Sequence, residues 1–102
     1  MHTAGRLLAY ALLGFFLFGC AAQNAYREGR SLLAQGKNRE GLARIEEATR
    51  LDPRSVEYRA AYLQARERLL NTWITQADRA RNERRYDDAE QAYLQAQQIA
   101  SD

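Results

Sequence analysis

Apolar and polar positions follow two different patterns along this chain. From Leu7 to Phe18 every residue is apolar or glycine, and Arg6 is the one basic Lys or Arg ahead of them. About a dozen such residues fall short of the roughly 20 that cross a bilayer comfortably as a permanent helix. A basic start, a short apolar middle and a small residue at the end are the order of a secretory leader. The run therefore predicts a signal helix over residues 1–19 that is cut away.

Beyond the leader the apolar spacing becomes that of amphipathic helices. Residues 20–24 are small or polar and predict a short tether. A first helix is expected from about Ala25 to Gln35, ended by Gly36. Leu42, Ile45, Ala48 and Leu51 recur every third position and predict a second from about Arg39 to Leu51, stopped by Asp52-Pro53. Ser55 can cap the next helix, and Glu57 lies in its first turn. Nothing interrupts Val56 to Arg81, so that segment reads as one long helix. Tyr58, Tyr62, Ala65, Leu69, Trp73, Ala77 and Ala80 form its broad apolar face, with Val56, Ala60, Leu63, Leu70 and Ile74 beside it. Tyr86, Ala89, Tyr93, Ala96 and Ile99 mark a last helix. The expectation is an all-α domain over 25–102: four helices in hairpins, the third long, after the signal helix.

Composition narrows the function more by exclusion than by assignment. The 15 basic and 13 acidic residues are interleaved and leave a net charge of +2, which argues against a nucleic-acid partner. All the basic residues but Lys37 are arginine. The one histidine, His2, lies in the leader, and the one cysteine is Cys20. A mature chain without histidine lacks the usual Cys/His zinc sites and His-activated nucleophiles. No glycine-rich phosphate loop is present. Glu46-Glu47 and Asp87-Asp88 are neighbours in sequence, and adjacent helical residues do not face one substrate. Glu40 with Arg44, and Glu46 with Arg50, read as solvated pairs four apart. The expectation is no enzyme, no cofactor, no metal and no small-molecule substrate.

Leu17-Phe18-Gly19-Cys20 resembles the lipobox of bacterial lipoproteins, with Leu17, Gly19 and Cys20 matching and Phe18 bulkier than the family's residue there. The resemblance implies cleavage after Gly19 and a covalent lipid on Cys20, whose thiolate is the nucleophile that takes it. A lone cysteine in an exported chain has no intramolecular disulfide partner, and acylation accounts for it. Ala21, rather than Asp, follows the cysteine; by the enterobacterial sorting pattern this implies the outer membrane, periplasmic face. An uncleaved inner-membrane anchor is the alternative.

Gly29, Leu32, Gly36, Leu42, Ile45, Ala48, Leu51, Asp52 and Pro53 resemble one tetratricopeptide repeat over about 22–55. Gly41 stands where that family usually has Ala and is expected to cost up to about 1 kcal/mol of helix propensity. A second, degenerate unit over about 70–102 has Trp73, Ala77, Tyr86, Ala89, Tyr93, Ala96 and Ile99 in phase, with Arg84 at the turn glycine and Ser101 at the closing proline. The two phases differ by roughly 48 residues against a family period of about 34, the surplus lying in the long helix. In such arrays the first helices form a concave surface, which implies Tyr26, Arg30 and Leu33 as partner contacts. Tyr58, Tyr62 and Trp73 read first as core packing, with Tyr58 and Tyr62 also candidates for contact.

The order of leader, one repeat, Glu57-Tyr58-Arg59-Ala60-Ala61 and an arginine-rich helix resembles the N-terminal segment of some outer-membrane secretins of type II secretion and type IV pilus systems. It implies a lipid-anchored interaction module for assembly or docking of a secretin complex, with a protein or peptide partner. A segment of a longer secretin and a free-standing assembly lipoprotein of pilotin type both fit that expectation.

Overall fold

The computed structural model describes residues 2–101. Their regular structure is entirely α-helical: α1 His2–Ala34, α2 Asn38–Leu51, α3 Val56–Asn82 and α4 Tyr86–Ser101. The all-α expectation and the breaks between α1 and α2, α2 and α3, and α3 and α4 are therefore observed. One helix boundary differs. Leader and first helix form a single α1, because Cys20-Ala21-Ala22-Gln23-Asn24 contains no residue that breaks a helix and two of the best helix formers. The segment read as a tether is helical throughout, and Ala22 within it is 0% exposed.

The chain divides into two compact units, one ending at Tyr62 and one beginning at Leu63. In the first, α1 presents Ala22, Ala25 and Gly29 to Gly41, Ile45 and Ala48 of α2, and all six are buried. Ile45 is the largest fully buried side chain. Small residues on both faces bring the backbones close: a Cβ on Gly41 would lie 2.9 Å from the Gly29 carbonyl oxygen and 2.9 Å from the Leu33 nitrogen. Gly41, read from sequence as a loss of propensity, is where the helices meet. Beside this contact the Arg44 guanidinium donates to Glu28 across the helices at 2.6 Å and to Glu47 on its own helix. The expected Glu40–Arg44 pair is thus replaced by one that ties α2 to α1, whereas Glu46–Arg50 forms at 3.6 Å.

α1 ends with two backbone bonds, Lys37 N–H to the Leu32 carbonyl at 2.9 Å and Gly36 N–H to the Leu33 carbonyl at 3.1 Å, with Gly36 at φ 80°. This is a Schellman cap, which satisfies carbonyls that the helix leaves open. At the start of α3 the Ser55 hydroxyl accepts from Tyr58 N–H at 3.2 Å, the expected N-cap.

In the second unit Leu69, Ala77 and Ala80 of α3 pack with Ala89, Ala92, Ala96 and Ile99 of α4. The Arg66 guanidinium donates to the Ala100 carbonyl at 2.8 Å, and the Tyr93 hydroxyl to Asp78 at 2.5 Å. Val56, Leu63 and Ile74, expected beside the apolar face of α3, are exposed. The end of α3 repeats the cap of α1: Arg85 N–H bonds the Ala80 carbonyl at 2.8 Å and Arg84 N–H the Arg81 carbonyl at 3.0 Å, with Arg84 at φ 64°. The position corresponding to Gly36 thus carries a side chain in the left-handed region, which costs about 1–2 kcal/mol in an L-residue. Arg84→Gly is expected to stabilise the second unit by about 1 kcal/mol, read as a rise in its thermal midpoint by circular dichroism.

The Asp78 carboxylate, accepting from the phenol, holds Tyr93 above the usual tyrosine value of 10.0, with desolvation adding to the effect. The folded-state pKa is raised, so the contact contributes fully below the ordinary tyrosine pKa and is lost as pH rises through the raised one. Alkaline difference absorbance is expected to show a late-titrating phenol that Tyr93→Phe removes and Asp78→Asn moves to lower pH.

Candidate functional site

Two places bring together residues singled out in the sequence. The first is the middle of α1. Leu7, Leu8, Tyr10, Leu12, Leu13 and Leu17 are each more than half exposed, and Cys20 is exposed. The side chain of Phe18 lies outside the described residues. Packing begins at Ala22 and continues through Ala25 at 1% exposure and Gly29. The thiol thus stands at the border between a helical stretch with no buried side chain among those described and one whose inner face is closed by α2. The apolar window of α1 has a mean hydropathy of 1.7 with none of it buried, and by length and composition α1 is the helix among the described residues that suffices to cross a membrane.

The second is an aromatic cluster in the first unit. The Tyr26 and Tyr58 rings lie 4.8 Å apart between centroids, tilted by 34°. The Arg30 guanidinium carbon sits 5.6 Å from the Tyr26 ring centre, and its nitrogen donates to the Tyr26 hydroxyl at 3.4 Å. Such aromatic pairs and stacked cations contribute roughly 0.5–1.5 kcal/mol each. One turn on α1 brings Tyr26 and Arg30 onto the same face, and the Ser55-capped start of α3 lays Tyr58 against them. Burial raises the Tyr58 phenol above its usual range; Glu57, Asp52 and Tyr26 add to the shift and Arg27 opposes it.

The expected contact residues therefore divide. Arg30 is exposed, Tyr26, Tyr58 and Tyr62 are half-buried, and half-buried Leu33 lies where a Gly41 side chain would have to go. Tyr26, expected as a partner contact, and Tyr58, read first as packing, spend part of their surface on each other, and Arg30 keeps an open edge.

A third place was not singled out. In the second unit α3 and α4 enclose a groove of about 460 Å³. Its floor is Ala80 and Ala92; Trp73 and Gln76 of α3 and Asp88 and Gln91 of α4 line it, with Arg79 and Arg85 toward one end. Glutamines at helical spacing look like solvated surface in a sequence, and only the pairing of the helices brings them to one cleft. Among the described residues no group of three or more His, Cys, Asp and Glu is placed to hold a metal ion.

Comparisons with protein families, with curated proteins and with solved structures find no match to this chain.

Proposed function

We propose that this chain is a non-catalytic, lipid-anchored adaptor on the periplasmic face of the outer membrane, moored through an acylated Cys20 and holding a protein or peptide partner on its helical hairpins. The observation that carries this reading is the border in α1. No described side chain before Ala22 is buried, so a cut after Gly19 removes exposed apolar surface and spares the face that packs on α2. Cys20 at the new end is exposed, as a site of lipid transfer has to be. Mooring the hairpins raises the local concentration of whatever they bind. The likeness to the leader and repeat of secretins supports secretion or pilus components as the partner, and the matching caps at Gly36 and Arg84 support two tetratricopeptide-like units.

The continuity of α1 from His2 to Ala34 favours a second reading, an uncleaved inner-membrane helical adaptor. Mass spectrometry of the protein isolated from bacterial envelopes separates the two. Cleavage predicts a chain beginning at a lipid-bearing Cys20; an intact N-terminal leader with an unmodified thiol would overturn the lipoprotein reading.

A further inference from the structure

We infer that the groove between α3 and α4 is a binding site for an extended peptide carrying an apolar side chain and, three residues along, a carboxylate. This rests on the adaptor reading but not on the lipid. The helices are antiparallel, so the groove has two unlike ends. One is walled by Trp73, half-buried, whose indole offers a flat apolar surface. At the other, six and seven residues along α3, lie Arg79 and Ala80, across from Arg85. Seven residues of helix span about 10 Å. A peptide in the extended polyproline II form covers about 9 Å in three residues and, with three residues per turn, returns the fourth side chain to the face of the first.

The two arginines differ. Arg85 already holds Glu83 at 2.7 Å and Asp88 at 3.2 Å, so its charge is answered within the fold. Arg79 makes no side-chain ion pair or hydrogen bond among the described residues, and it is the cation left to meet an incoming carboxylate. Between the ends, Gln76 and Gln91 face the groove from opposite helices with amides that can both donate to and accept from a peptide backbone. The floor is alanine on both helices, which is what leaves the cleft open between them. Apolar wall, amide middle and unanswered cation set an order along the ligand, and charge complementarity selects an acidic peptide.

Trp73 is the only tryptophan, so its emission reports the groove directly. The full chain in detergent micelles would be titrated with acetyl-Leu-Ala-Ala-Glu-amide and with the same peptide ending in glutamine. The expected result is a saturable change in Trp73 emission, with the glutamate peptide bound about tenfold more tightly, the size of one charge-assisted hydrogen bond. Arg79→Gln, an exposed change, is expected to leave the circular dichroism spectrum unaltered and to erase that preference. Absence of saturation, equal binding of the two peptides, or a preference that survives Arg79→Gln would overturn the assignment. So would emission that shifts with protein concentration alone, which would make a second copy of this chain the occupant. Peptide binding and acylation of Cys20 are read separately, so either can fail without the other.

Discussion

Gly41→Ala is expected to destabilise the first unit by about 1–3 kcal/mol, the usual cost of forcing an extra methyl group into a closed contact. In an open helix the same change would gain up to about 1 kcal/mol, because glycine is the poorer helix former. The sign reverses because the new Cβ would lie 2.8 Å from Leu33 Cγ, 2.9 Å from the Gly29 carbonyl oxygen and 2.9 Å from the Leu33 nitrogen. A side chain can swing aside, but two of those atoms are backbone, so the helices themselves must separate. Gly29→Ala is expected to behave alike, since its Cβ would meet Ile45 Cγ1 at 2.6 Å, the Gly41 carbonyl oxygen at 2.9 Å and the Ile45 nitrogen at 3.0 Å. Separation would also loosen Ile45, the largest fully buried side chain. Gly19→Ala, with nothing within 4 Å of its Cβ, is the control for an open helix position and should gain up to about 1 kcal/mol rather than lose it. Urea unfolding followed by circular dichroism decides the matter: a Gly41→Ala chain as stable as the parent would mean that the close approach of α1 and α2 is not real.

Cys20→Ser is expected to abolish incorporation of radiolabelled palmitate entirely, because serine keeps the size and exposure of the side chain but not its thiolate nucleophile. The effect on attachment should be correspondingly large. Burial of an acyl chain contributes about 0.8 kcal/mol per methylene, and two chains anchor stably where one does so marginally. Since no described side chain before Ala22 is buried, the substitution leaves the packing of α1 on α2 untouched, and helical content should not change. Label retained by the Cys20→Ser chain would sink the proposed anchor.

Much of this molecule is legible in local residue chemistry. Pro53 and Gly36 mark the turns where they occur, Ser55 caps α3 as its position predicts, and the unbroken run from Val56 yields a helix that ends at Asn82, one residue beyond expectation. The aromatic cluster was legible only as separate positions on two amphipathic helices; that Tyr26, Arg30 and Tyr58 meet is a finding of the structure. Their division of surface between packing and exposure was not legible either, since helical spacing assigns a residue to a face without saying how much of that face a neighbour covers.

Continuity of α1 escaped because the change from apolar run to amphipathic spacing at Cys20 is a change of surroundings and not of backbone conformation. The reach of Arg44 to Glu28, sixteen residues away, escaped because near-neighbour rules pair it with Glu40.

The order of residues alone determined that the chain is helical, where it turns, and where its one thiol stands relative to an apolar run. Tertiary structure alone decided that Gly41 is a contact and not a flaw, and that Trp73 and Arg79 look into the same groove. The reason is physical: periodicity along a helix is set by its 3.6-residue turn, whereas the distance between two helices is set by the side chains that meet across them.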